Sequence, residues 1–356
     1  MSKNKKIKKS RFGKDKLKPS SILLFIFGIG IIAFIVNFVG FSELYSALIE
    51  IKLIYLFLFL FFITSKMLIG GFRWWILVGN LKKTKLKDIY VIFFAGIFAN
   101  NLTPGPSFGG EPLKAYFLKK ETKKGISPCL AVTVMDTVVD SAALFGFAVF
   151  SLWYLFMYIS APKTILFFKG GIMFVVILAV VSIYLWKVKR ENLSSYFNRF
   201  LVWLYNSWIL KMFRKSFEDY KEFKKYVVGK IKKFRGTAGR LAKNKKLMFE
   251  TVIISMIRYI MGFLGIYALS IGLGQSISFV QAIVVGVIGG VVGYFIPLPG
   301  GTGAVEGSMI GVLVGIGVKL ESATALVLIY RSFFYMITYG VGYASIVSLN
   351  NKYLKK

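Results

Sequence analysis

Long apolar runs alternate with short basic turns along most of the chain. The runs at 22–41, 53–78, 126–160, 165–186, 247–273 and 323–349 each suit a membrane-spanning helix, which needs roughly 20 apolar residues. Two further apolar stretches behave differently. The stretch 88–113 contains Asn100-Asn-Leu-Thr-Pro-Gly-Pro-Ser-Phe-Gly-Gly-Glu-Pro112. The stretch 277–318 contains Pro297-Leu-Pro-Gly-Gly-Thr-Gly-Ala-Val-Glu-Gly307. Pro removes backbone donors and Gly loosens the chain, so neither loop is expected to be helical throughout. Irregular backbone at membrane depth is tolerated only where protein buries it or a wet cavity meets it.

The charges between the runs orient them. Basic clusters lie on both sides of 88–113: Lys82, Lys83, Lys85 and Lys87 before it, and Lys114, Lys119, Lys120, Lys123 and Lys124 after it. Two basic flanks place both ends of this short segment in the cytoplasm, as a hairpin that dips in and returns. The flanks of 277–318 carry only Gln275, Lys319 and Glu321, as expected of a hairpin entering from outside. The predicted fold is an all-α polytopic membrane protein. It has six full spans and two re-entrant broken hairpins in an inverted repeat, the arrangement that places substrate sites near the midplane. Glu111 and Asp136 are 25 positions apart, as are Glu306 and Arg331.

The expected division is a basic disordered arm at 1–20, a first membrane half at 21–186, a basic segment at 187–246, a second half at 247–350 and a tail at 351–356. Within 187–246, Phe213, Phe217, Tyr220, Phe223 and Val227 recur at spacings of three and four. That pattern predicts an amphipathic helix on the cytoplasmic membrane surface. Both termini are expected in the cytoplasm.

Composition narrows the chemistry. The 47 Lys and Arg outnumber 15 Asp and Glu, but they sit in juxtamembrane blocks, which favours anionic lipid over nucleic acid. Cys129 is the only cysteine and there is no histidine. Intramolecular disulfides and a Ser-His-Asp triad are therefore excluded, and a Cys/His metal site is not expected. No cofactor motif is evident; the glycine-rich 286–303 tract lacks the Lys-Ser/Thr ending of a phosphate loop.

Ionisable residues inside a membrane are expensive, so each is a candidate for function or for pairing. Glu111 and Glu306 each follow a break, where freed N–H groups open a helix. They either cap their own helices or handle a polar head group or a proton. Asn100, Asn101, Gly109, Gly110, Gly300 and Gly301 surround them as candidate substrate contacts. Asp136 and Asp140 share a helix face. They either relay protons or form structural ion pairs with Arg73 or Arg258. Arg331 either snorkels to the interface or grips a lipid phosphate.

The two broken motifs, with Arg73-Trp74-Trp75 and Arg331, resemble the flippase-like transmembrane family, also called the lysylphosphatidylglycerol synthetase transmembrane region. The resemblance runs from about residue 20 onward. The first motif is extended at Phe108, and Asp136-Thr-Val-Val-Asp140 lacks the Glu-Arg that many members carry there. Whatever that Arg does elsewhere is not transferred. The resemblance implies translocation of a lipid or lipid-linked head group, with membrane lipids, above all anionic phospholipids, as partners in the cell membrane. No aminoacyl-transfer domain accompanies the spans, so enzymatic lysyl transfer is not expected. Two other readings compete. One is a membrane scaffold for a lipid-modifying or glycosyl-transferring enzyme. The other is an intramembrane enzyme acting on lipid phosphates through Asp136 and Asp140.

Overall fold

The computed structural model describes residues 49, 51–103, 109–158, 173 and 219–353. The expected basic arm, the spans at 22–41 and 165–186, residues 187–218 and the loop core 104–108 lie outside these residues. The described chain is helical. Four helices precede the gap: α1 (Leu53–Gly79), α2 (Leu86–Leu102), α3 (Gly110–Thr122) and α4 (Ile126–Tyr158). Five follow it: α5 (Tyr220–Lys243), α6 (Lys245–Gly272), α7 (Phe279–Phe295), α8 (Ala304–Gly315) and α9 (Leu320–Tyr353). Among the described residues α1, α4, α6 and α9 are long and apolar enough to cross a membrane, which matches four of the six expected spans.

Local chemistry sets the boundaries. Thr103 and Ile296 each precede a proline and take extended conformations, ending α2 and α7; the proline ring disfavours helix at the residue before it. The second break then turns through Gly300, Gly301 and Gly303, all at positive φ, where an L side chain is strained. Ser278 and Gln281 start α7 by exchanging side-chain and backbone hydrogen bonds at 3.2 and 2.8 Å. Asp219 caps α5 by accepting from Glu222 N at 2.7 Å. The helix covers Tyr220, Phe223 and Val227 of the expected stripe, with Phe223, Thr237 and Leu241 buried, while Phe213 and Phe217 lie outside the described residues.

The two sets of four have nearly the same lengths. α1 to α4 contain 27, 17, 13 and 33 residues; α6 to α9 contain 28, 17, 12 and 34. Their packing repeats as well. α2 pairs with α3 where Gly96 meets the Lys114 stem, and α7 pairs with α8 where Gly289 meets Met309. Gly96 and Gly289 are each the eleventh residue of their helix. α9 then packs on α2, at Gly342 against Phe98, while α4 packs on α7, at Leu144 against Gly290.

The centre of the molecule is the crossing of α1 with α6. There Gly70 faces the Arg258 stem and Gly262 faces the Lys66 stem. Nearer one end Gly272 faces Tyr55 and Ile51, so the two helices run antiparallel. Lys66 and Arg258 are 192 positions apart, as are Gly70 and Gly262. The crossing therefore maps onto itself when the two halves are exchanged.

A Cβ at residue 110 would lie 2.3 Å from the Gly96 carbonyl oxygen, and backbone cannot swing aside as a side chain does. Gly110→Ala should lower the melting temperature of the detergent-purified protein, with a cost of about 1–3 kcal/mol. Gly229→Ala, on α5 with nothing within 4 Å, should leave it unchanged or raise it, by up to about 1 kcal/mol.

Candidate functional site

Arg73 on α1 organises the first of two buried charge networks. Its Nε donates to Asp136 Oδ1 at 2.9 Å and its guanidinium also reaches Asp140 and, at 2.8 Å, Ser255 Oγ. One turn separates the two aspartates, so α4 presents both to the same guanidinium. Arg258 on α6 clamps Asp140 from the other side at 2.5 and 2.6 Å. Tyr259 and Tyr294 donate to the same carboxylate at 3.0 and 3.3 Å. Lys114 extends the network, 2.9 Å from Glu111 and 3.4 Å from Asp136. Of the two readings of Asp136 and Asp140, ion pairing is present in the structure: both meet Arg73, and Asp140 also meets Arg258. Three cations face three carboxylates.

The second network lies at the second break. Arg331 donates from Nε to Glu306 Oε1 at 2.6 Å and from a terminal nitrogen to Gly300 O at 2.7 Å and to Tyr335. The other Glu306 oxygen accepts from Gly303 N at 2.7 Å. Glu306 therefore caps its own helix and neutralises Arg331 together. Arg331 is buried, not snorkelling to an interface.

Between the networks is a cavity of about 320 Å³. α1 and α6 form one wall, α7 and the second break another, and α9 and the end of α2 a third. Its polar lining comes from Lys66, Asn100, Asn101, Tyr259, Tyr294, Tyr330 and Arg331, with Gly300 and Gly301 exposing backbone. Tyr259 and Tyr294 link this wall to Asp140, and Arg331 links the opposite wall to Glu306.

The structure thus brings Asn100, Asn101, Gly300, Gly301 and Arg331 to one cavity. The described lining does not include Glu111 or Glu306; Glu306 stands one partner behind it through Arg331, whereas Glu111 pairs with Lys114, which does not line the cavity. Gly109 and Gly110 pack the start of α3 against Thr103 and Gly96. Asn100 Oδ1 accepts from Gly110 N at 2.6 Å, fastening the first break; Asn101 donates to Thr338 on α9 at 3.0 Å.

Two residues escaped the sequence reading. Lys114 is expected there in a cytoplasmic turn, but α3 continues through it and buries it beneath Trp74 and Phe93. Its signal was position: three residues after Glu111, it shares that helix face. Lys66 was legible as the sole charge between Leu53 and Phe72, in the middle of α1. Its Nζ donates to the Tyr330 hydroxyl at 3.1 Å, and no carboxylate pairs with it among the described residues. A lysine at the centre of a span costs roughly 2.5–3.5 kcal/mol on insertion scales.

Long apolar helices around buried ion pairs define a multi-pass integral membrane protein. The chain belongs to the family of the lysylphosphatidylglycerol synthase TM region, whose model matches residues 21–342. Its relatives include UPF0104 membrane proteins of three archaea. That of Pyrococcus horikoshii is 26% identical over 87% of this chain and 91% of its own length. That of Methanothermobacter thermautotrophicus is 22% identical over 93% and 96%, and that of Methanocaldococcus jannaschii 25% identical over 96% and 98%.

Removing Asp140 leaves Arg73 and Arg258 without their shared partner. Asp140→Asn should destabilise the protein by about 3–5 kcal/mol, because an uncompensated buried charge costs more than the pair contributed. Thermal unfolding in detergent measures it, and adding Arg258→Met to Asp140→Asn should recover part of the loss.

Proposed function

We propose that the protein translocates a lipid or lipid-linked head group across the membrane. The head group passes through the cavity where the two halves meet, and the apolar tails stay in the bilayer. The observation that carries this reading is the cavity itself. It is lined by Lys66, Asn100, Asn101 and Arg331, it lies between helices of spanning length, and the end of α2 and the second break border it. Polar groups at that depth are costly and mark pathways through transporters.

The packing supports two re-entrant hairpins in inverted topology. Lys352, at the end of α9, bonds Asp88 at 2.7 Å and Glu121 at 2.9 Å. That cluster gathers the start of α2, the end of α3 and the end of α9 on one face, which we assign to the cytoplasm from its basic flanks. The antiparallel crossing of α1 and α6 supports opposite orientation of the two halves. Glu306 acts in this mechanism by holding Arg331 in position as the head group passes, while Glu111 holds Lys114 in the charge network behind the cavity wall. The nine Lys and Arg of α5, against Glu222 alone, gather anionic phospholipid at the inner leaflet of the cell membrane.

The test is movement of a fluorescent phosphatidylglycerol between the leaflets of vesicles containing the purified full chain. Protein-dependent exchange is expected. Leaflet distribution unchanged for phosphatidylglycerol and for a lipid-linked sugar would overturn the reading, and a lipid-modifying enzyme that co-purifies in that case would identify a scaffold. Glu306→Gln keeps the shape but weakens the hold on Arg331, and transport should fall about tenfold, the equivalent of 1.4 kcal/mol. Topology is tested with single cysteines in a Cys129→Ala background. A cysteine at Lys120 should label only from the cytoplasmic side, and one at Lys319 only from outside.

A further inference from the structure

We infer that Lys66 is the anion receptor of the cavity and that the group it receives is a phosphate oxyanion. This deepens the translocase reading and rests on the cavity being the head-group site.

The two halves keep a common register through their charged residues. Residues 111, 114, 136 and 140 each lie 195 positions before 306, 309, 331 and 335. Packing supports the correspondence, since Lys114 meets Gly96 as Met309 meets Gly289. At the central crossing, Lys66 corresponds to Arg258. The two cations occupy equivalent places, yet their surroundings differ in one respect. Arg258 is clamped to Asp140. The residue in register with Asp140 in the second half is Tyr335, whose hydroxyl is engaged with Arg331 and Gly300 O. Where one half supplies a carboxylate, the other supplies a phenol.

Lys66 is thus left with the Tyr330 hydroxyl at 3.1 Å and the faces of Tyr330 and Phe334 at 5.8 and 6.0 Å. None of these neutralises it. Charge accounting within the described core gives the same answer. Arg73, Lys114 and Arg258 balance Glu111, Asp136 and Asp140, and Arg331 balances Glu306. Lys66 is the remaining cation, and it lines the cavity. An ammonium with three donors, lining the same cavity as the amides of Asn100 and Asn101 and the guanidinium of Arg331, suits an oxyanion. The space is much larger than a monatomic ion, and phosphate is the anion common to membrane phospholipids. A head group bearing an added ammonium brings like charge to Lys66 and is disfavoured.

The probes are dihexanoyl-phosphatidylglycerol, inorganic phosphate and dihexanoylglycerol, titrated calorimetrically into the purified full chain in phosphate-free detergent. The lipid phosphate should bind. Lys66→Met should weaken it at least about tenfold, the loss of one charge-assisted hydrogen bond. Lys66→Arg should stay within about threefold of the wild type. The ligand-free Lys66→Met protein should melt no lower than the wild type, since it sheds an unbalanced charge; Lys66→Gln serves if Met impairs folding. Inorganic phosphate binding with the same Lys66 dependence supports the oxyanion site and identifies free phosphate as a source. Binding of the lipid alone identifies the lipid phosphodiester. Unchanged affinity in Lys66→Met, no binding of either phosphate by the wild type, or equal binding of dihexanoylglycerol overturns the inference. Leaflet exchange that persists alongside Lys66-independent binding removes this site and leaves translocation standing. Lys66-dependent binding without leaflet exchange does the reverse.

Discussion

A charge held among apolar helices must find its opposite close by, and that requirement shapes this molecule more than any other. Arg73 draws α4 against α1 through two aspartates, and Arg258 draws α6 against the same carboxylate. Four carboxylates are thereby committed to four cations before any substrate arrives. Such pairs contribute little net stability beyond what apolar replacements would give. What they impose is geometry: Asp140 meets its partners only when α1, α4, α6 and α7 are all in place.

Glycine supplies the complementary constraint. Gly70 and Gly262 admit the stems of Arg258 and Lys66 at the central crossing, so the guanidinium reaches inward while its methylenes fill the interhelical space. The same device closes each helical hairpin, at Gly96 and at Gly289. Charge pairing and close approach thus depend on one another, because an arginine stem needs a neighbour without a side chain.

Much of the frame was legible in the sequence. Hydropathy located α1, α4, α6 and α9, and Pro104 and Pro297 marked where α2 and α7 stop. The pairing of Arg73 and Arg258 with Asp136 and Asp140 was one of two readings, and spacing could not choose between them because it does not show which helices touch. Lys114 was misassigned for a physical reason. Loop charges and buried charges look alike in a linear pattern, and only the helix α3 carries this one inward. Lys66 was visible as a lone charge in an apolar run, but its meaning depended on its having no carboxylate partner among the described residues, which requires three dimensions. The cavity was invisible, since residues from α1, α2, α6, α7, the second break, α8 and α9 line it.

The junction at Asn244 has a mechanical consequence. This residue ends α5 and begins α6: its backbone N–H bonds Leu241 O at 3.1 Å while its side chain accepts from Leu247 N at 3.1 Å. A stiff elbow, not a tether, therefore joins the basic surface helix to the span that carries Arg258. With α5 also packed on α4, the two arms cannot tilt independently. A force on α5 therefore acts as a torque on α6, and through Arg258 it reaches the carboxylate that both halves of the molecule grip.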